Sequence, residues 1–313
     1  MRDVAALAGV SMITASRALN SPQQVSPATL ARVREAVERT GYVPNRVAGG
    51  LASSRSHLVA AVVPTIVGPV FLETVESLTE SLAGAGYQLM LGQSGYAGSR
   101  EDALLEAIIG RRPDGIVLTG IMHTPEGRRR LLASKIPIVE TWDLTPTPID
   151  MVIGFSHEGI GAAVAAYLHG RGRRRLAIIS ADDERGLRRK AGFVQAAARL
   201  MGTAEALPAV LVPAPTALGA GRRALSDLIA LEPAIDAVFC SSDMLALGVL
   251  IEAKHQGIAV PGRLAVVGFG DLAARRGFRT RADVGACRRY GNRTAGRALY
   301  RRPRRGARCG WPR

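Results

Sequence analysis

From Leu58 to Gly268, short apolar runs alternate with amphipathic stretches, and this alternation limits the possible folds more than any other feature. Leu58-Val59-Ala60-Ala61-Val62-Val63 is continuous and short, as a strand buried on both faces should be. The spacing then predicts a helix over Phe71–Ala83, a strand over Tyr87–Leu91, and a helix over Ser99–Gly110 capped by Ser99. A strand over Gly115–Leu118, a helix over Thr124–Ala133 and a strand over Pro137–Glu140 follow. The pattern restarts with helices over Ile160–His169, Leu187–Met201, Ala217–Ile229 and Asp243–Gln256, and strands over Leu176–Ile179, Val210–Val212, Ala237–Cys240 and Leu264–Gly268. Such alternation demands parallel sheets covered by helices, and its repetition predicts two α/β lobes with a cleft between them. Ligands of such sheets bind at the carboxyl ends of the strands.

The first 43 residues obey a different rule. Val4, Ala5 and Ala8 put small apolar groups on one helix face, and Gly9 can leave that helix with a positive φ. Val10 plugs the corner, and Ser11 offers a hydroxyl to cap a second helix whose inner face is Ala15, Ala18 and Leu19. Small residues at the crossing let two helices pack steeply, as a helix-turn-helix requires. Its outer face is then Met12, Ile13, Thr14, Ser16 and Arg17. Any small helical hairpin would also satisfy this pattern. Ser26-Pro27, a cap followed by proline at the first helical position, opens a third helix with Leu30, Val33 and Val37 inward and Gly41 at its end.

A chain of 313 residues suits two or three domains. With 47% apolar but only 4% aromatic residues, its core must be built from Ala, Val, Leu and Ile. Cys240, Cys287 and Cys309 are scattered without metal-ligand spacing, which fits a reducing cytosol. No apolar run reaches the length of a membrane span, and Asp3 with no long apolar stretch after it argues against a signal peptide. The net charge of +15 is not spread evenly. Residues 273–313 hold fourteen arginines, no lysine and one acid, Asp283, so they carry +13 and the remaining body only +2.

Three motifs in one order, Asp3-Val4-Ala5 to Asn20 with its Ala-Gly-Val-Ser and Ser-Arg-Ala-Leu-Asn, Gly41-Tyr42-Val43-Pro44-Asn45, and the Ala48 to Leu51-Ala52 stretch, resemble the lactose-repressor family of bacterial transcription regulators. Gly154-Phe155-Ser156-His157-Glu158-Gly159 resembles that family's passage into its second lobe, and the likeness runs from residue 3 to about 272. The resemblance implies a multi-domain chain: an all-α helix-turn-helix head at 1–43, a hinge helix at 44–56, and a core like that of periplasmic binding proteins at 57–272. The core would divide into lobes at about 57–152 and 153–272. By the same resemblance, Met12, Ile13 and Arg17 read bases. Arg17 can donate bidentately to guanine, whereas Met12 and Ile13 can read only apolar features such as a thymine methyl. Ser11, Thr14, Ser16 and Asn20 suit phosphate contacts. Tyr42 and Val43 are expected to pack the three-helix core. In the hinge, Leu51 takes the place of the family's minor-groove wedge, Asn45 reaches the backbone, and Ala48 belongs to the same DNA-binding set. Gly49-Gly50 weakens the isolated hinge helix by roughly 1 kcal/mol per glycine. The chain departs from the family at its start, where Met1 replaces a threonine cap; either the true start lies upstream or the first helix is uncapped.

The resemblance places the effector between the lobes. Arg189 matches the family arginine three residues before glycine, with Arg185 nearby, and Ser242-Asp243 matches a sugar-contacting corner. Asp243 equally suits a helix cap, and Arg188 and Lys190 are expected to face water. Pro64, Thr65 and Phe71 should line the first-lobe side, Trp142 should stack on a sugar or fill core, and Asp271 stands one residue beyond where many relatives carry an acid. The run Arg111 to Gly120, Val139 to Asp143 and Pro148-Ile149-Asp150 resembles gluconate-operon repressors, which implies a sugar acid. No nucleophile elbow, phosphate loop or metal-ligand cluster is present, so no catalytic residue, metal or cofactor is expected. The expected molecule is a cytoplasmic homodimer that binds double-stranded operator DNA and a small effector, with no membrane partner. The alternatives are a soluble sugar-binding protein and a defective repressor whose tail binds nucleic acid non-specifically. After Leu272 the strand–helix pattern stops, which suggests a shift of reading frame near Leu272–Arg275; an arginine-rich nucleic-acid-binding tail is the other reading.

Overall fold

The computed structural model describes residues 1–43, 55–66, 69–96, 98–121, 123–202 and 206–270. Asn45, Ala48, Leu51, Asp271 and the arginine-rich tail lie outside the described residues. The chain divides into two compact units, Met1–Ser56 and His57–Arg313.

The first unit holds three helices, α1 (Arg2–Ala8), α2 (Met12–Asn20) and α3 (Pro27–Thr40). Gly9 ends α1 in the left-handed region at φ 63°, and the Val10 N–H donates back to the Ala5 carbonyl. The Ser11 hydroxyl accepts from Thr14 N at 3.1 Å and Ser26 from Thr29 N at 3.2 Å, so both predicted caps form. Met1 gives α1 no side-chain cap. Val4, Ala5, Ala8, Ala15, Ala18, Val33 and Ala36 are buried together, with Tyr42 packed against them. Val43 does not join this core; it is 82% exposed, because the chain has already left α3 at Gly41.

The second unit contains two parallel sheets. The first, in order β2-β1-β3-β4-β5, uses β1 (Leu58–Val63), β2 (Gln88–Gln93), β3 (Gly115–Thr119), β4 (Ile138–Thr141) and β5 (Met151–Ile153). It is served by α4 (Leu72–Gly84), α5 (Gly98–Ile109) and α6 (Pro125–Ser134). The second sheet, in order β7-β6-β8-β9, uses β6 (Leu176–Ala181), β7 (Ala209–Val212), β8 (Ala237–Cys240) and β9 (Ala265–Val267). Its helices are α7 (His157–Gly170), α8 (Glu184–Met201), α9 (Leu218–Leu231) and α10 (Asp243–His255). β6 and β8 are buried at every position, as their uninterrupted apolar sequences require.

Helices pair closely over the second sheet. A Cβ at Gly161 in α7 would run into the Arg189 carbonyl of α8, and one at Gly248 in α10 into the Leu218 carbonyl of α9. Glycine at these crossings is what lets the backbones touch. The short edge strand β5 is not among the expected elements; its apolar run Met151-Val152-Ile153 is only three residues long, and Met151 is exposed.

Candidate functional site

Two surfaces combine residues of the kinds the sequence singled out, one in each unit. In the first unit, α2 turns Ala15 and Ala18 inward and leaves Met12 52% and Ile13 70% exposed, with Ser11, Arg17 and Asn20 also exposed. Thr14 and Ser16 are half-buried: Thr14 Oγ1 lies 2.9 Å from the Ser11 hydroxyl, and Asn20 Nδ2 donates to Ser16 at 3.2 Å. Met12, Ile13, Ser16, Arg17 and Asn20 border one open groove. Two large apolar side chains held in water beside an exposed guanidinium gain nothing for this unit by itself, so they suit contact with another molecule.

In the second unit a cavity of about 70 Å³ lies between the sheets. Its walls stand just past the carboxyl ends of the strands: Thr65 after β1, Trp142 after β4, Asp183 after β6 and Ser241-Ser242 after β8. Of the predicted residues, Thr65, Phe71, Trp142, Arg185, Arg189 and Ser242 line it. Pro64 borders instead an adjoining chamber of about 460 Å³. Ser242 is the cap of α10, accepting from Leu245 N at 3.3 Å, and Asp243 is the first helical residue, buried with its N–H donated to the Phe269 carbonyl.

The sequence reading did not select Tyr96, His157, Asp183, Thr216 or Phe269, all of which line the cavity. Asp183 had a local signal, since an acid before Glu184 caps α8 by accepting from Gly186 N at 2.6 Å. Phe155 and His157 belong to the Gly154–Gly159 motif, which points to the passage between lobes and not to a cavity wall, and they meet Phe269 only through the fold. Phe71, Trp142, Phe155 and Phe269 form a chain of edge-on ring contacts with centroids 5.1, 5.8 and 5.8 Å apart. Trp142 adopts φ 67°, a left-handed backbone that a bulky residue rarely takes and that costs of the order of 1–3 kcal/mol.

Cationic charge dominates the inner cavity. Arg189 is buried, its guanidinium 4.5 Å over the Phe269 ring, and Nη1 donates to His157 Nδ1 at 2.9 Å. That bond needs a neutral imidazole. Burial and the charges of Arg189, Arg185 and Arg188 hold His157 far below its ordinary value, at about 2. Arg185 lies 5.5 Å over Phe71, with Nη1 buried and no hydrogen-bond partner among the described residues. The amino ends of α8 and α10 add their own positive potential. The carboxylate on the cavity wall is Asp183.

Arg188 does not face water as expected. It spans the two lobes, with Nη1 2.6 Å from Asp143 Oδ2 and Nε 2.6 Å from Glu158 Oε1. Asp143, fully buried, is pushed up by burial, while Arg188 pulls Glu158 down. Beneath the outer chamber, His123 sits between Glu101 at 2.7 Å and Glu140 at 3.3 Å. Burial alone would lower its pKa, but hydrogen bonds and charge from the two carboxylates raise it to about 9. It is therefore an imidazolium. No group of three or more His, Cys, Asp or Glu side chains able to hold a metal occurs among the described residues. No described helix is long and apolar enough to cross a membrane.

Comparison with known proteins places this geometry. Residues 1–45 match the family described as "Bacterial regulatory proteins, lacI family", and residues 165–279 match the "Periplasmic binding protein-like domain". The chain is 39% identical over 273 residues to the HTH-type transcriptional regulator GntR of Pseudomonas aeruginosa, covering 87% of this chain and 79% of that one. It is 31% identical over 271 residues to GntR of Escherichia coli (strain K12), covering 86% and 81%. A LacI-family transcriptional regulator from Silicibacter pomeroyi superposes with TM-score 0.83 at 33% identity, over 89% of this chain and 84% of that one. The lac repressor dimer bound to operator shares the fold, with TM-score 0.74 at 21% identity over 87% and 82%. These relatives are transcriptional regulators by name. A helix-turn-helix head, a two-lobed α/β core and identity along most of its length make this chain a member of the LacI family of bacterial transcriptional regulators.

Proposed function

We propose that the protein is a cytoplasmic, homodimeric repressor of sugar-acid catabolic genes, released from or held on its operator by a gluconate-type effector bound between the core lobes. The observation that supports this reading best is the pair Arg185 and Arg189 facing a small cavity with Asp183 as its wall carboxylate. Guanidinium groups donate in a planar fork that fits a carboxylate, and the aromatic wall suits the carbon face of a polyol. A carboxylate would give the buried Arg185 Nη1 a charged acceptor that a neutral sugar does not offer. On the DNA side, Arg17 reads guanine while Met12 and Ile13 rest on thymine methyls, and Ser11, Thr14, Ser16 and Asn20 position the head on phosphates. Asn45, Ala48 and Leu51 complete that surface in the hinge. Two heads then bind the half-sites of a near-palindromic operator. The effector shifts the hinge only as far as its affinity differs between the two lobe arrangements.

The test is a titration of the full chain on end-labelled DNA from upstream of its own gene, read by anisotropy, with scrambled competitor, a salt series, and gluconate present or absent. Specific binding that gluconate changes supports the proposal. Specific binding that gluconate leaves unchanged removes the effector assignment. Equal affinity for scrambled DNA, collapsing as salt rises, would reduce the protein to an arginine-rich polycation on DNA.

A further inference from the structure

The inner cavity is too small for the whole effector. At about 70 Å³ it falls well short of the roughly 300–1,000 Å³ of ordinary small-molecule sites. The adjoining chamber of about 460 Å³ falls within that range and shares Tyr96, Asp183 and Arg185 with the inner cavity as a common wall, but Arg189 lines the inner cavity alone. They differ in charge. The inner cavity presents Arg185 and Arg189, whereas the outer chamber adds the carboxylates of Glu101, Asp182 and Glu184 to that of Asp183. His123, the other cation there, is already committed to Glu101 and Glu140. Ser94, Tyr96 and Thr119 supply hydroxyls along the same wall.

We infer, resting on the effector reading above, that the ligand lies lengthwise through both spaces. Its carboxylate sits against Arg185 and Arg189, and an uncharged polyhydroxyl remainder fills the outer chamber, where Asp183 and Tyr96 read hydroxyls and the carboxylates disfavour a second negative charge. Asp183 is held rigidly for this task, since Oδ1 already accepts the Gly186 N–H at 2.6 Å. Asp182 is fixed likewise by the Ala214 N–H at 2.9 Å. Burial and the Asp183 charge raise the Tyr96 phenol, so it remains an O–H able to donate as well as accept. A terminal phosphate ester brings close to two negative charges at neutral pH and no protons to donate to these carboxylates. The effector class is therefore a mono-anionic polyhydroxy acid with a free far end.

Calorimetry on the full-length protein with three probes tests this: gluconate, glycerate with the same carboxyl end but three carbons, and 6-phosphogluconate. Glycerate should bind at least about thirtyfold more weakly than gluconate, and 6-phosphogluconate at least about tenfold more weakly. Asp183→Asn keeps a capping oxygen and removes the charge, so it should close the gap between gluconate and its phosphate ester by about threefold or more. Tyr96→Phe, at an exposed position, should weaken gluconate severalfold and leave glycerate unchanged. Glycerate binding as well as gluconate, or the phosphate ester matching gluconate, would overturn the lengthwise arrangement while leaving the sugar-acid effector in place. No binding by any of the three would overturn both.

Discussion

The two lobes of the core grow from the same strand–helix repeat, yet they are buried very differently. Around the second sheet, two clusters of buried side chains fill both faces, one centred on Leu225, Leu228 and Val249, the other on Phe193, Phe239 and Leu168. Among the described residues the first sheet has one such cluster, around Leu105, Ile116, Leu118 and Leu131. Its other helix, α4, buries none of its residues, and Leu72 on α4 and Leu91 on β2 are 47% and 42% exposed. The difference teaches that a repeated pattern fixes the architecture of a lobe but not its stability. The second sheet is covered on both faces, and the first lobe presents apolar surface that suits a further partner, which fits the homodimer proposed above.

Substitutions can break or sharpen this contrast. The largest effect is expected at Gly161, where alanine would collide with the Arg189 and Phe193 backbone; the cost is about 4 kcal/mol or more, read as loss of the cooperative unfolding transition. Gly84→Ala in α4 meets nothing within 4 Å and should be neutral or slightly stabilising. Next, Leu225→Ala should cost about 3 kcal/mol in chemical denaturation, whereas Leu72→Ala should change the same measurement by less than about 0.5 kcal/mol. If the two leucines cost the same, the contrast between the lobes fails.

The buried histidines make the comparison pH-dependent, with opposite signs. His123 in the first lobe is raised to about 9, so its contribution is fully present below its unfolded value near 6.5 and fades as the pH rises through 9. His123→Gln should remove this alkaline loss, of the order of 3 kcal/mol at most, from unfolding curves taken between pH 6 and 10. His157 in the second lobe is depressed to about 2, so the unfolded chain takes up a proton below about 6.5 that the folded chain refuses. Stability should fall with acid, and His157→Asn should flatten that limb. Among the charged residues the smallest effect is expected at Arg188→Ala, which strips Asp143 of the partner it finds across the lobes. A loss of about 1–2 kcal/mol should appear in denaturation, discounted because Glu158 and part of Arg188 are exposed.

Most of the fold was legible because its signals are local. Caps at Ser11 and Ser26, the left-handed exits at Gly9 and Gly41, and the buried runs of β1, β6 and β8 all lie within a few residues of what they determine, whereas the cap expected at Asp243 is taken by Ser242 one residue earlier. The cleft was legible only where a motif carried it, as at Arg189. What failed depends on distance. Arg188 meets Asp143 across 45 positions, and His123 meets Glu140 from another strand, so neither partner could be paired from spacing. Gly221 gives no local sign of its role either, which is to let α9 approach the Leu245 carbonyl of α10.

Trp142 has a consequence of an optical kind. Strained at φ 67° and wedged edge-on between Phe71 and Phe155, its indole forms part of the inner cavity wall. The chain has one other tryptophan, Trp311, so Trp311→Phe leaves a single emitter on the wall where the acid end of a ligand would displace solvent. Its emission maximum and lifetime then become an intrinsic gauge of occupancy, and with stopped-flow mixing the arrival of a ligand can be timed separately from the release of DNA.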